Sequence, residues 1–256
     1  MLRPSDCTFD RRRCRLLSPL ATTPKLGRDG VGERCSWLAL APVVLTGVFY
    51  VLPSSLQHIR LIQFLPQLSA YLALGLWLAC NTGSVERLGA NPSGMAAGIR
   101  WGVATGVVLG GVNTFVILWL VPSFGGDILF LKEAPHARMP TWVMAPWGIL
   151  AIAVGVELNF RGFLLGRLVV LVRQWFPDAP RSSLNSGSIL ALTTSALVFA
   201  WDPFMVMTFR HLHWIAVWDG LIWGWIFIRL RNLYAVIIAH AVEVMMMYLS
   251  VKAALT

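Results

Sequence analysis

Gly148-Ile149-Leu150-Ala151-Ile152-Ala153-Val154-Gly155-Val156-Glu157-Leu158-Asn159-Phe160-Arg161-Gly162-Phe163-Leu164-Leu165-Gly166 is an apolar run interrupted by two opposite charges. Glu157 and Arg161 are four residues apart, so a helix places them on one face, within reach of each other. Asn159 falls on a different face. In a membrane each charge costs at least about 2.5–3.5 kcal/mol near the bilayer centre. A polar site inside a helix bundle is the usual way to offset that cost.

The rest of the chain fits such a bundle. Of 256 residues, 57% are hydrophobic and only 13% are charged. Soluble domains carry roughly 25% charged residues, so this chain is expected to be an all-α, polytopic transmembrane helical bundle. Twelve Trp and thirteen Phe suit interfacial belts and bundle packing. The net charge of +9 is not a nucleic-acid footprint, because eight of the 21 basic residues fall within the first 35 positions. Residues 1–35, rich in Arg, Pro, Ser and Gly, read as a disordered basic tail. Cys7, Cys14, Cys35 and Cys80 show no CxxC or His/Cys metal spacing and read as reduced thiols. No secretory leader is evident.

About 20 apolar residues span the hydrocarbon core. Seven segments (six to eight allowing for borderline runs) qualify or nearly so: 36–56, 61–80, 98–121, 142–172, 186–203, 214–229 and 233–251. The fourth is longer than a span needs, so its end with Arg167 and Arg173 is expected to leave the membrane as an amphipathic extension. The sixth is short and Trp-rich, with its ends at the interface. Gly102, Gly106 and Gly110 repeat every four residues and predict close packing inside the bundle. The Pro- and Gly-containing loop 122–141 separates N-terminal helices, 36–121, from a helical core at 142–251. With the N-terminus inside, the inner side holds fifteen basic residues and the outer side five. This predicts a multi-pass protein with a cytoplasmic N-terminus.

Ionisable residues in the spans cluster late. Glu157, Arg161, Asp202, Asp219, His240 and Glu243 lie in or at the edge of the last four segments, and the first three hold none in their interiors. His240 and Glu243, three apart, share a helix face. Asp202 and Asp219 read as capping or loop residues. A carboxylate, a guanidinium and an imidazole in a water-poor cavity suit amide hydrolysis without an obligatory metal. The carboxylate takes a proton from water, and the donors stabilise the oxyanion. No cofactor is expected. His-Glu-x-x-His is absent, and His211-Leu212-His213 is poor metal-ligand spacing.

At these residues the chain resembles the CAAX-protease and bacteriocin-processing family (CPBP, or Abi) of intramembrane glutamic endopeptidases. That family's Glu-Glu-x-x-x-Arg motif is matched by Val156-Glu157-Leu158-Asn159-Phe160-Arg161, followed by Gly162 and a Leu-rich stretch. Its Phe-x-x-x-His motif is matched by Phe199-Ala200-Trp201-Asp202-Pro203, and its late His-x-x-x-Asn by His240-Ala241-Val242-Glu243-Val244. Gly220-Leu221-Ile222-Trp223-Gly224 resembles the family's penultimate helix. The resemblance covers residues 142–250 and carries over Glu157, Arg161, Phe199 and His240. Three departures stand against it: Val156 replaces the first glutamate, Pro203 the second-motif histidine and Val244 the asparagine.

The resemblance implies a membrane-embedded endopeptidase that hydrolyses peptide bonds with glutamate-activated water, with Glu157, Arg161 and His240 in the site. His211 or His213 could stand in for the missing histidine, and Glu243 for the missing base. The expected partners are membrane lipid and a membrane-associated peptide or protein substrate. The expected location is a bacterial plasma membrane. The departures leave open a catalytically inactive scaffold or binding protein built on the same bundle. A transporter-like use of the polar cluster ranks below both, since no inverted repeat is visible.

Overall fold

Backbone amides and carbonyls inside a bilayer must satisfy one another, so apolar runs of this length fold as helices. The computed structural model describes residues 33–134, 136–175 and 185–255, and among these it contains no strand. The expected 1–35 tail lies almost wholly outside the described residues. A 3-10 turn, Ser36–Ala39, leads into α1, Leu40–Val51. Then follow α2, Arg60–Cys80, and α3, Met95–Phe115. α4, Thr141–Trp175, is one long helix. After it come α5, Ser186–Ala200, α6, Pro203–Phe209, α7, Ile215–Leu230, and α8, Leu233–Leu255.

Among the described residues four helices are long and apolar enough to cross a membrane, or five if the bent pair α5–α6 counts as one span, against the seven segments expected. The shortfall has local causes. The first segment stops at Val51, because Leu52 precedes Pro53 and is held extended at ψ 151°. The fifth ends at Ala200, and the chain turns by 53° before Pro203 opens α6. Asp202 caps that opening, accepting from the backbone N–H groups of Phe204 and Met205 and from Gln67 Nε2. The capping role expected of Asp202 is therefore observed. The sixth segment forms only the 16 residues of α7.

α4 is the central helix. More than half of its apolar window, 56%, is buried, against 28–33% for α2, α3 and α8. Large apolar side chains such as Trp147, Leu72 and Val108 face outward, as lipid-exposed residues do. The extension expected after the fourth span is corrected at Arg167. That residue is buried, its guanidinium stacked 4.2 Å from the Trp77 ring centroid and donating to the Arg87 carbonyl at 3.3 Å. The planar cation finds a partner face inside the bundle, so the helix does not need to leave it.

The glycine stripe of α3 packs against α8. A Cβ on Gly102 would lie 2.7 Å from the carbonyl oxygen of Ala235, and one on Gly106 would lie 2.6 Å from that of Ala239. Only glycine permits this approach. It brings the lower part of α3, including Asn113, against the polar face of α8.

Candidate active site

Glu157 ends the regular helical run Ile149–Glu157, and the next eight residues, Leu158–Leu165, form widened π-type turns. Such turns are uncommon and recur at functional sites. The i, i+4 pair survives the widening: Arg161 Nη1 donates to Glu157 Oε1 at 3.1 Å, with both side chains buried. His240 approaches from α8, its Nδ1 at 2.7 Å from the same oxygen. The carboxylate oxygen only accepts, so Nδ1 carries the hydrogen, leaving Nε2 as an acceptor in the neutral ring.

Aromatic rings hold the cations in place. The Arg161 guanidinium sits 4.5 Å from the Phe199 ring centroid and 5.1 Å from that of Trp223. Trp223 in turn stacks on His240 at 4.5 Å with an interplanar angle of 19°. Trp223 therefore serves the site rather than the interfacial belt expected of the Trp-rich α7. The faces of Phe199 and Trp223 attract the positive charge of Arg161. Two polar atoms of the ion pair remain without a hydrogen-bond partner although buried: Glu157 Oε2 and Arg161 Nη2. Asn159 Oδ1, nearby in sequence and buried, also lacks one.

Glu243 is buried on α8 in a second polar group. Asn113 Nδ2 donates to Glu243 Oε1 at 2.6 Å and to both oxygens of Asp219 at 3.1 and 3.2 Å. Trp218 Nε1 donates to Asn113 Oδ1 at 3.0 Å. Asp219, expected to cap or to lie in a loop, is instead within α7 and buried. Gly220 beside it faces Ala196, whose Cα would be 3.0 Å from an added Cβ, and this lets α7 approach α5.

The two candidate substitute histidines lie elsewhere. His211 is exposed and meets the Phe130 ring edge-on at 5.3 Å. His213 is half-buried, bonded through Nδ1 to the Arg210 carbonyl and set against Trp201. The short helix α6 and the turn Arg210–Leu212 hold both on their own side of the bend. At the departing motif positions, Val156 packs against the main apolar core and Val244 against the cluster around Met144 and Ile149, while Pro203 is buried at the start of α6.

Sequence reasoning did not place Asn113, Trp218 or Trp223 among the site residues. A signal existed for the first, since Asn113 is three residues beyond Gly110 and extends the glycine stripe along the same helix face.

Residues 138–246 match a family model described as type II CAAX prenyl endopeptidase Rce1-like. No curated protein and no solved structure matches the chain. The matched segment runs from the entry into α4 to the middle of α8, and so contains every member of the Glu157–Arg161–His240 cluster. Over residues 138–246, less than half of its length, the chain is thus similar to this family of CAAX endopeptidases, and together with the apolar helices the likeness supports an integral membrane protein.

Proposed function

We propose that this chain is a membrane-embedded endopeptidase in which Glu157 activates water for attack on a peptide carbonyl. One observation carries the reading. Glu157 has one oxygen fixed by Arg161 and His240 and its other oxygen, Oε2, without a donor in a buried setting. An oxygen so placed can take a proton from water. The unpartnered Nη2 of Arg161 is a buried donor suited to the oxyanion that forms, where the low dielectric enlarges its effect. His240 Nε2 supplies a proton-transfer site on the other side of the imidazole. The substrate is a membrane-associated peptide or protein, and a prenylated C-terminal peptide is the first class to try. The core is residues 142–251, in a bacterial plasma membrane with the N-terminus cytoplasmic, as the excess of basic residues on that side supports.

The test is cleavage of prenylated and unprenylated peptides by full-length protein in lipid nanodiscs. Activity that falls at least a hundredfold in Glu157→Gln and His240→Ala supports the proposal. Variants that cleave as fast as wild type overturn it. A second reading, an inactive scaffold, rests on the apolar residues Val156, Pro203 and Val244 where the family has polar groups. Folded wild-type protein that cleaves none of these peptides, yet retains a membrane partner, favours that reading.

A further inference from the structure

Glu243 and Asp219 are buried, 0% and 5% exposed, and neither belongs to the Glu157 ion pair. Asn113 fixes the geometry between them. Trp218 donates to its Oδ1, so the other amide atom is the nitrogen, and its two hydrogens face the carboxyls. Those two hydrogens serve three carboxyl oxygens: Asp219 Oδ1, Asp219 Oδ2 and Glu243 Oε1. Glu243 Oε2 has no donor and is closed to solvent. The two carboxyl groups are held side by side on a single nitrogen, Asn113 Nδ2, at 2.6 Å from Glu243 Oε1 and 3.1 and 3.2 Å from the Asp219 oxygens.

Two ionised carboxylates cannot bond, because both only accept, and their charges repel. The groups facing them are Glu157 and Arg161 from α4, His240 from α8, Asn113 from α3 and Trp218 from α7. Arg161 is the one fixed cation in that set, and it is already bound to Glu157 at 3.1 Å. Full ionisation would therefore leave uncompensated negative charge in a desolvated core, a costly arrangement. A proton held between the two carboxyls removes one charge and turns repulsion into a hydrogen bond. A metal ion suits the gap less well. No three His, Cys, Asp or Glu converge at metal-binding distance among the described residues, and the Asn113 amide presents hydrogens to the gap.

We propose that Asp219 and Glu243 share one proton and form, with Asn113, a proton-binding site in the core of the bundle. This site is separate from the Glu157 carboxylate and independent of the peptidase reading. It joins α3, α7 and α8 through a single shared hydrogen, and removal of that hydrogen would drive α7 and α8 apart at this level.

Infrared spectroscopy of the full-length protein in nanodiscs at neutral pH tests it. The expected result is one protonated-carboxyl stretch per chain that shifts in D2O. It should persist in Glu157→Gln and in Asp202→Asn, and vanish in the double variant Asp219→Asn with Glu243→Gln. Absence of the stretch in wild type overturns the proposal. So does its loss in Glu157→Gln or Asp202→Asn, or its survival in the double variant. Should the double variant fail to fold, the two single variants decide: a stretch that moves or disappears in each supports the site, and one unmoved in both overturns it.

Discussion

The Glu157 centre takes Glu157 and Arg161 from α4 and His240 from α8, all three within residues 138–246, whereas the Asp219–Glu243 pair is bridged by Asn113 of α3, outside that segment. The first centre is local in origin. Two charges four residues apart meet on any helix, and packing has only to bring up the imidazole and the aromatic rings. The second is a product of tertiary packing, since its three polar side chains come from three helices and meet only because glycines let α3 lie against α8. A site of the first kind can be read from spacing, but a site of the second kind depends on which helices become neighbours.

The sharpest way to break the comparison is Arg161→Leu. It strands the buried Glu157 charge and is expected to cost about 3–5 kcal/mol of stability, measured by denaturant unfolding in nanodiscs. Adding Glu157→Leu should restore most of that loss, because the uncompensated charge goes with it. A double variant as unstable as the single would show that the pair's role is not electrostatic.

Next in size is Gly106→Val. Its branches would press on the Ala239 carbonyl, and overpacking of this kind costs roughly 1–3 kcal/mol. The expected signature is a lowered unfolding midpoint together with a shifted carboxyl stretch from the Asp219–Glu243 pair. Wild-type values for both would mean that α3 is not seated on α8 through this stripe.

These two variants also mark how much was legible in the sequence. The helical fold class and the Glu157–Arg161 contact follow from apolar run length and i, i+4 spacing, which are local properties. The span count does not follow. Pro53 and Pro203 break helices within runs that remain apolar in composition, and hydropathy does not register that. Arg167 was misread for a similar reason: its exposure is decided by Trp77, ninety residues earlier in the chain, whose ring gives the guanidinium a buried face. His211 and His213 have suitable chemistry, but the bend at Asp202-Pro203 directs them to Phe130 and Trp201. Asp219 was expected to cap or to lie in a loop, yet it is buried within α7, beside the Gly220 that admits Ala196.

Smaller effects sharpen the contrast. Trp218→Phe removes the bond that orients Asn113 and should cost about 1 kcal/mol. It should also broaden the carboxyl stretch and leave the peptide cleavage proposed for the Glu157 centre little changed.

At the opposite end of α1 and α2 from their connecting turn, the Cys35 thiol donates to Cys80 Sγ at 3.4 Å, and Asn81 clasps the Arg34 backbone through both its N–H and its carbonyl. Diamide should join the two cysteines within one chain, as read by peptide mapping without reductant. The hydrogen bond to Cys80 raises the Cys35 thiol above its ordinary value. Less thiolate is therefore present at neutral pH, and the cross-link should form faster as pH rises. The absence of any Cys35–Cys80 product would show that α1 and α2 do not meet there.

The smallest effect is expected at Arg210 and Glu133, an exposed pair 3.6 Å apart. Glu133→Gln should leave the unfolding midpoint within measurement error, as solvent-exposed ion pairs usually do.

The widened turns of Leu158–Leu165 also act as a phase shifter along α4. A regular α-helix advances about 100° per residue, and a wider turn advances less, so eight such residues reset the azimuth of everything that follows. Glu157, just before the stretch, faces His240, while Arg167, ten residues later, is thereby aimed at Trp77 on α2. Deleting one residue from this stretch would restore tighter winding and rotate the downstream half of the helix against the upstream half. One of the two buried cations would then lose its aromatic seat. The helix can serve two addresses because its winding changes between them.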